Sequence, residues 1–333
     1  MRLEKVMRRN LTCSAAQSTV ESEQVIEARR PMILHHYPMS PFSEKIRLMF
    51  GFLDMRWQSV LSPESPPRPI VEPLAGGYRR IPVAQLGADI VCDSRLICTE
   101  LAEASGKPQM GLDACGEDCR QLASRFEGQV FWAAVASIPT RTILRRLFGE
   151  LSFLHALRFI RDRVGVAKHA QTDLVSPKHA PAIFAEHLKT LDKMLSGDKL
   201  FIGGGSPCYL DFAAYHTLWF TVAVGDLSMP AGVPSVSAWY ERMTAFGHGT
   251  EVEASAQDAF DAARGSQPRA LSEEQMASPD VGKQVALAPE DYALDETRGL
   301  LVGADDKRWI LARETADLGL VHVHFPKQGY QLL

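Results

Sequence analysis

Two serine residues stand where helices are expected to begin. Ser40 directly precedes Pro41, a residue favoured at the first helical position, and Ser94 follows Asp93 at the start of a second helical stretch. A serine oxygen at such a position caps backbone N–H groups, and the positive end of the helix dipole favours a nearby negative charge. Each serine could therefore only cap its helix, or could also help to bind an anionic group.

The histidine and cysteine residues do not form a convincing metal site. His322 and His324 alternate onto the same side of a predicted strand, but no third ligand lies nearby in the sequence. The six cysteines give neither a disulfide-dense framework nor a paired C-x-x-C metal motif. We therefore expect no metal, and we expect the cysteines to be reduced thiols of a cytoplasmic protein.

The elements around the two serines predict a small mixed sheet with helices. A short apolar strand leads into Ser40, and a helix with apolar residues at helical spacing follows. A second strand covers about residues 55–60, and residues 62–69 are too rich in proline for a helix or a central strand. Two short strands at 82–86 and 90–92 then precede a helix over 94–104.

The rest of the chain predicts a helical unit and then a β-rich one. The pattern from Asp113 to about Gly247 is almost continuously helical, whereas Glu251 to Asp280 is charged, alanine-rich and polar like a linker. Strand-like segments follow, at 285–287, 299–302, 309–311 and 320–325. About 50 residues are marginal as an independent β unit. We expect this appendage to pack on the helical domain.

Composition and charge narrow the class of partner. A formal net charge of −4 does not favour nucleic acid or an anionic membrane, which both need clustered Lys and Arg. The sequence also lacks the roughly 18–20 uninterrupted apolar residues of a membrane helix. A small-molecule partner is expected. The basic first 20 residues could be a flexible extension, a mislabelled start or a transit peptide.

Four short segments resemble sequence motifs of one protein family and occur in the same order as in that family. The run from Tyr37 to Arg47 resembles the first turn and helix of a glutathione S-transferase, and Arg80-Ile81-Pro82-Val83 resembles the segment that carries its cis-proline. Asp93-Ser94 resembles its acidic-Ser pair, and the run from Ser206 to Phe212 resembles a capped helix deep in its helical domain. Each segment alone is weak evidence for the family, but four segments in the family's order are fairly specific evidence. The resemblance covers roughly residues 31–250.

The resemblance implies the fold, the domains and the assembly. It implies an α/β thioredoxin-like domain at 31–106 and an all-helical domain at 113–265. We expect a flexible N-terminal extension at 1–30, and a small β-rich C-terminal appendage at 281–333, which is foreign to most of the family. The family also implies a cytoplasmic homodimer that acts in detoxification.

The resemblance also assigns residues to glutathione, the expected co-substrate. Ser40 stands where relatives place a catalytic Ser or Cys. Because both cysteines of the thioredoxin-type motif are replaced, in Ser40 and Ser43, thiol-disulfide exchange is not expected here. Ser40 would instead donate a hydrogen bond to the glutathione sulfur and stabilise its thiolate, a reactive nucleophile. The residues expected to bind glutathione are Phe42, Arg80, Ile81, Pro82, Asp93 and Ser94.

Each of these residues has an expected partner. Asp93 would bind the γ-glutamyl ammonium group, and Ser94 with its helix N-terminus would bind the γ-glutamyl carboxylate. The backbone of Ile81 would pair with the cysteinyl part if the Pro82 bond is cis. Arg80 would face the glycyl carboxylate, or would be a solvated loop residue. Aromatic side chains are expected either to line the electrophile pocket or to form plain core: Phe131, Trp132, Tyr215 and Trp219.

Three functions remain open at this level. The leading hypothesis is a glutathione transferase that attacks a small hydrophobic electrophile. The alternative is a non-catalytic protein of the same fold that uses the appendage as a docking surface, since fold does not fix function. A glutathione-dependent reductase would need a redox-active cysteine, and the nearest candidates, Cys92 and Cys98, fall in a strand and inside a helix.

Overall fold

The computed structural model describes residues 31–171 and 175–333, so the predicted extension at 1–30 lies outside the described residues. The N-terminal unit contains four strands and two helices in the predicted order, and a third, short helix that the sequence did not predict. Its strands are β1 (Ile33–His36), β2 (Arg56–Leu61), β3 (Val83–Leu86) and β4 (Asp89–Cys92). Its helices are α1 (Pro41–Phe52), α2 (Val71–Ala75) and α3 (Ser94–Ser105).

The N-terminal sheet has one parallel and two antiparallel pairings. Strand β1 runs parallel to β2 and antiparallel to β3, and β3 pairs antiparallel with β4. Helix α1 begins at Pro41 because Ser40 caps it, as predicted, and helix α3 ends before Gly106, whose φ of 65° suits glycine. The predicted thioredoxin-like unit is confirmed.

The middle of the chain is helical, as predicted. A π-helical turn (Phe126–Val130) joins α4 to α5, and a second π-helical turn (Phe220–Val224) follows α9. The helices of this unit are α4 (Glu117–Arg125), α5 (Phe131–Ser137), α6 (Thr140–Glu150), α7 (Phe153–His169), α8 (Ala180–Met194), α9 (Tyr209–Trp219) and α10 (Pro234–Thr244). Its core is continuous with that of α1 and α3, so the two units share one interior.

The appendage forms an antiparallel meander, but not where we expected it. Its strand β9 pairs in parallel with β4, and Asp89 lies opposite His322. All strands named for the described residues therefore form one ten-stranded sheet, in the order β10-β6-β7-β8-β9-β4-β3-β1-β2-β5, where β5 is Thr250–Glu253. The new strands are β6 (Gln284–Pro289), β7 (Thr297–Ala304), β8 (Arg308–Thr315), β9 (Gly319–Pro326) and β10 (Tyr330–Leu332).

Burial explains the placement of the appendage. Leu311, Val323 and Phe325 are buried against Val83 and Ile90 of the N-terminal sheet. The open edge of β4 offers backbone hydrogen bonds that no helix could satisfy. The prediction that the appendage packs on the helical domain is therefore wrong in its main contact.

The segment predicted to be a linker contains regular structure. Strand β5 (Thr250–Glu253) extends the opposite edge of the sheet by pairing with β2, and α11 (Ala256–Arg264) and α12 (Glu273–Met276) follow. Cys115 and Cys119 lie close together, with Cα atoms 5.4 Å apart, and the expectation of reduced cysteines stays a prediction. Within the described residues, no helix has both the length and the apolar character needed to cross a membrane.

Candidate functional site

Ser40 is placed by the turn between β1 and α1. Its hydroxyl oxygen accepts a hydrogen bond from the backbone N–H of Ser43, 3.2 Å away, which is the capping role predicted for it. Its side chain is buried but lies in the wall of a large cavity between the N-terminal and helical units. Because the oxygen accepts the N–H, the hydroxyl proton is free to be donated into the cavity.

A second, polar pocket adjoins this cavity. Ile81 and Pro82, joined by a cis peptide bond, form one side of it, and Asp93 and Ser94 form another. The Asp93 backbone has a φ of 73°, which is uncommon for a residue other than glycine, and its carboxylate accepts the N–H of Arg95 at 2.9 Å. Asp93 therefore caps α3, and the alternative that Ser94 is only an N-cap is wrong.

Arg80 is held at the border between the two cavities. Its guanidinium forms an ion pair with Asp291, donates to the backbone carbonyl of Tyr292, and stacks 4.1 Å from the Tyr292 ring centre. The side chain is 13% exposed, so the alternative of a solvated loop arginine is wrong. Burial alone would lower the pKa of Arg80, but Tyr330 and the other nearby acidic groups raise it well above its usual value. Arg80 is a fixed cation.

The appendage closes the polar pocket. The Tyr330 hydroxyl donates to a carboxylate oxygen of Asp93 at 3.0 Å and lies 2.9 Å from the Tyr78 hydroxyl. Burial and then Asp93 raise the pKa of Tyr330, so this hydroxyl stays protonated. The pocket has a volume of about 60 Å³ with Asp291 and Tyr292 in place, far below the roughly 300–1,000 Å³ of most ligand sites.

The larger cavity is mainly apolar and has a volume of about 420 Å³. Phe131 and Trp132 line it, as predicted. Tyr215 and Trp219 do not. Tyr215 instead stacks on Tyr240 in the helical core with ring centres 5.1 Å apart, which is the plain-core alternative.

A buried charge network supports the site from below. Glu127, on the π-helical turn after α4, accepts from Lys45 at 2.7 Å, from Arg95 at 2.7 Å and from the Tyr209 hydroxyl at 2.6 Å. Burial would raise the pKa of Glu127, but Lys45 and Arg95 hold it well below its usual range. The network therefore joins α1 and α3 of the N-terminal unit to the helical unit.

The structure brings all the predicted site residues together. Ser40 lines the apolar cavity, and the six residues expected to bind glutathione line the polar pocket: Phe42, Arg80, Ile81, Pro82, Asp93 and Ser94. Phe42, Arg80 and Ile81 line both. Their roles towards glutathione stay predictions.

The sequence did not reveal the contribution of the appendage to this site. Asp291, Tyr292 and Tyr330 line the polar pocket from more than 190 positions beyond Ser94. Their local sequence carries no motif. The one available signal was an unexplained appendage rich in strand-forming residues.

Comparison with known proteins identifies the fold family. Residues 34–109 match the family model described as glutathione S-transferase, N-terminal domain, and residues 167–242 match the model of its C-terminal domain. A solved GST-like protein from Pseudomonas syringae is 30% identical, with a TM-score of 0.70, and the match covers 91% of this chain and 99% of that chain. The chain belongs to the glutathione S-transferase superfamily. The part of this chain that the match leaves uncovered is shorter than the appendage, so the match includes part of the appendage.

Other solved glutathione S-transferases match about two thirds of the chain. One from Sinorhizobium meliloti is 24% identical with a TM-score of 0.44, and the match covers 65% of this chain and 88% of that chain. One from Rhodospirillum rubrum is 17% identical with a TM-score of 0.44, covering 64% and 87%. A search of curated proteins gave no match.

Proposed function

We propose that the protein is a glutathione transferase in which Ser40 activates the glutathione thiol for attack on a small electrophile. The observation that carries the proposal is the position of Ser40. Its hydroxyl lies at the N-terminus of α1 in the wall of an apolar cavity, and the polar pocket of Asp93 and Ser94 adjoins that cavity. A tripeptide bound in the polar pocket would place its thiol near this border.

The polar pocket has charges that suit both ends of glutathione. The Asp93 carboxylate would accept the γ-glutamyl ammonium group, and Ser94 at the start of α3 would bind the neighbouring carboxylate. Arg80 would bind the glycyl carboxylate after Asp291 gives way. Opening of this contact would also enlarge the pocket.

The energies available at Ser40 are sufficient for thiol activation. A hydrogen bond to a charged group contributes about 1.5–3 kcal/mol, and one pKa unit corresponds to about 1.4 kcal/mol. The N-terminus of α1 adds roughly 0.3–1 kcal/mol in the same direction. A thiol with a pKa near 8.5 would therefore ionise about one to two units lower, and the thiolate would form the new carbon–sulfur bond as the leaving group departs.

The experiment that tests this proposal combines binding and turnover. Glutathione is titrated calorimetrically into the wild type, Ser40→Ala and the matched control Ser43→Ala, whose side chain is buried in the same turn but lines neither cavity. Turnover is measured with an aromatic halide and a peroxide. Ser40→Ala should bind glutathione but lose at least tenfold in rate, whereas Ser43→Ala should keep the rate. Equal rates for all three proteins would overturn the role of Ser40.

A non-catalytic binding protein is the second candidate function. The ion pair between Asp291 and Arg80 favours it, because the appendage occupies the group that a substrate would need. Glutathione binding without turnover of either electrophile class would support this alternative. Absence of glutathione binding would overturn the transferase proposal and would make the appendage the place to look for a partner.

A further inference from the structure

The charged side chains that line the mainly apolar cavity all carry a positive charge. Among the described residues that line it there are five arginines and no aspartate, glutamate or lysine. The arginines are Arg68, Arg79, Arg80, Arg146 and Arg163. An apolar pocket with convergent charge of one sign concentrates ligands of the opposite sign.

Arg68 is the most deeply buried of these arginines and is 4% exposed. Its guanidinium donates to the backbone carbonyls of Pro63 and Glu64, at 2.9 Å each, and to that of Arg79. Within the described part of the chain no carboxylate forms an ion pair with it. A buried cation is costly unless an anion compensates it, and Arg68 has no carboxylate in direct contact.

Two further guanidinium groups lie beside Arg68. The carbonyl oxygen of Glu64 accepts from Arg163 as well as from Arg68, both at 2.9 Å, and Arg79 supplies the carbonyl noted above. Burial lowers the pKa of Arg68 to about 10; the positive charges of Arg163 and Arg79 act in the same direction, whereas Tyr37 and Asp162 act against it. We name Arg68, Arg79 and Arg163 the arginine cluster.

The arginine cluster has more positive than negative charge. Asp162 pairs with Arg79 and lies 3.6 Å from the Nε atom of Arg163, so two arginines share this one carboxylate. Asp295 adds a second contact to Arg79 at 3.2 Å but is 48% exposed. Three guanidinium groups thus face two carboxylates, which leaves about one positive charge for a ligand.

We propose that the electrophile taken by this site is an amphipathic monoanion, with an apolar body and one carboxylate group that binds Arg68 and Arg163. This inference rests on the proposed function, because it names the substrate class of the same site. The apolar body would lie against Phe131 and Trp132. The carboxylate would supply the missing counter-charge, and a single charge keeps desolvation lower than a dianion would.

Glutathione itself is a less suitable source of this anion. Arg68 and Arg163 line the apolar cavity but not the polar pocket, whereas Arg80 lines both. The glycyl carboxylate therefore has its own cation in Arg80. The arginine cluster remains for the second substrate.

Two chemically matched electrophiles test the proposal. One is a chloronitrobenzoate with chlorine para to the carboxylate, and the other is the corresponding carboxamide, which has the same shape without the charge. Rates at saturating glutathione are divided by the uncatalysed rate of each compound. The normalised kcat/KM should be at least tenfold higher for the carboxylate, and added salt should reduce only the carboxylate value. Equal normalised values would overturn the proposal.

A pair of variants tests whether the arginine cluster causes the preference for the carboxylate substrate. Arg163→Gln should reduce the carboxylate preference at least fivefold with unchanged glutathione affinity. The control, Arg158→Gln, changes an exposed arginine of the same helix that does not line the cavity, and it should keep the preference. If Arg163→Gln weakens glutathione binding and leaves the preference intact, the cluster serves glutathione and the proposal is wrong.

Binding of unreactive analogues separates this proposal from the proposed function. A methyl group replaces chlorine in both compounds, and each is titrated calorimetrically into the wild type. Tighter binding of the carboxylate by at least tenfold supports the charge preference even if no turnover occurs. Equal binding of the two analogues contradicts it even if Ser40 is catalytic.

Discussion

The hydroxyl group of Tyr330 donates a hydrogen bond to the carboxylate of Asp93, 3.0 Å away, although the two residues are 237 positions apart. One belongs to the last strand of the appendage, and the other caps the helix at the expected glutathione site. The appendage is therefore a wall of the polar pocket. The sequence left open whether the appendage is a docking surface. A partner that docked there would have to bind while Tyr330 keeps its contact with Asp93.

Replacement of Tyr330 tests how tightly the appendage holds the pocket. Tyr330→Phe removes the hydroxyl that donates to Asp93 and leaves the Tyr78 hydroxyl without its partner, whereas Asp93 keeps its contact with the Arg95 N–H. It should lower the free energy of unfolding by about 1–3 kcal/mol. Because Tyr78→Phe removes the same hydroxyl contact, the double variant should lose less than the sum of the two losses. Urea denaturation measures all three. Strict additivity would show that the two hydroxyl groups are not coupled.

Replacement of Asp291 tests whether the appendage competes with glutathione for Arg80. Asp291→Asn removes a carboxylate from Arg80, and a partly exposed ion pair contributes about 0.5–1 kcal/mol. The dissociation constant for glutathione should therefore fall roughly two- to fivefold. Asp295→Asn is the control, since Asp295 pairs with Arg79 on the same loop. Weaker glutathione binding by Asp291→Asn would mean that Asp291 helps binding.

Loss of Glu127 should destabilise the contact between the two units. Glu127→Gln leaves Lys45, which is fully buried, and Arg95 without their carboxylate. Breaking a buried ion pair in this way typically costs about 3–5 kcal/mol. The control Glu117→Gln changes an exposed side chain and should alter stability by less than about 0.5 kcal/mol. A similar small loss for both variants in chemical denaturation would rule out a supporting role for the network.

The anchor of the appendage on α3 should weaken in acid. Glu100 pairs with Arg269 at 2.8 Å and with Arg308. Burial would raise its pKa, but Arg269 and then Arg308 outweigh burial and lower the pKa from 4.5 to about 2. The folded state thus binds the proton less tightly than the unfolded state, so this stabilisation is complete above pH 4.5 and is lost as pH falls towards 2.

A comparison of wild type with Glu100→Gln over this range measures the effect. The difference in unfolding free energy, about 3 kcal/mol at neutral pH by the conversion of one pKa unit to 1.36 kcal/mol, should shrink as pH falls from 4.5 towards 2. A difference that is constant with pH would show that the charge on Glu100 does not contribute.

The local part of the site was predictable from the sequence. Ser40 before Pro41 fixes the start of α1 by short-range capping, and Asp93-Ser94 does the same for α3. Strand alternation also located four of the five strands of the appendage, whereas β10 (Tyr330–Leu332) was missed. These signals depend on neighbouring residues, which the sequence displays directly.

The long-range part was not predictable. Alternation shows which face of β9 is buried, but not that β4 offers the free edge on which it pairs. Strand β5 was missed because three of its four residues are polar, as suits an edge strand with little burial. Asp291 reaches Arg80 only after the ten-stranded sheet has formed, so no local sequence pattern predicts this contact.

The pKa of the thiol of bound glutathione tests the central role of Ser40 most directly. The ultraviolet absorbance of the thiolate is titrated against pH for glutathione bound to wild type, Ser40→Ala and Ser43→Ala. If Ser40 donates to the sulfur, the bound thiol should ionise about one to two units lower in the wild type and in Ser43→Ala than in Ser40→Ala. The same thiol pKa in wild type and Ser40→Ala would contradict activation by Ser40.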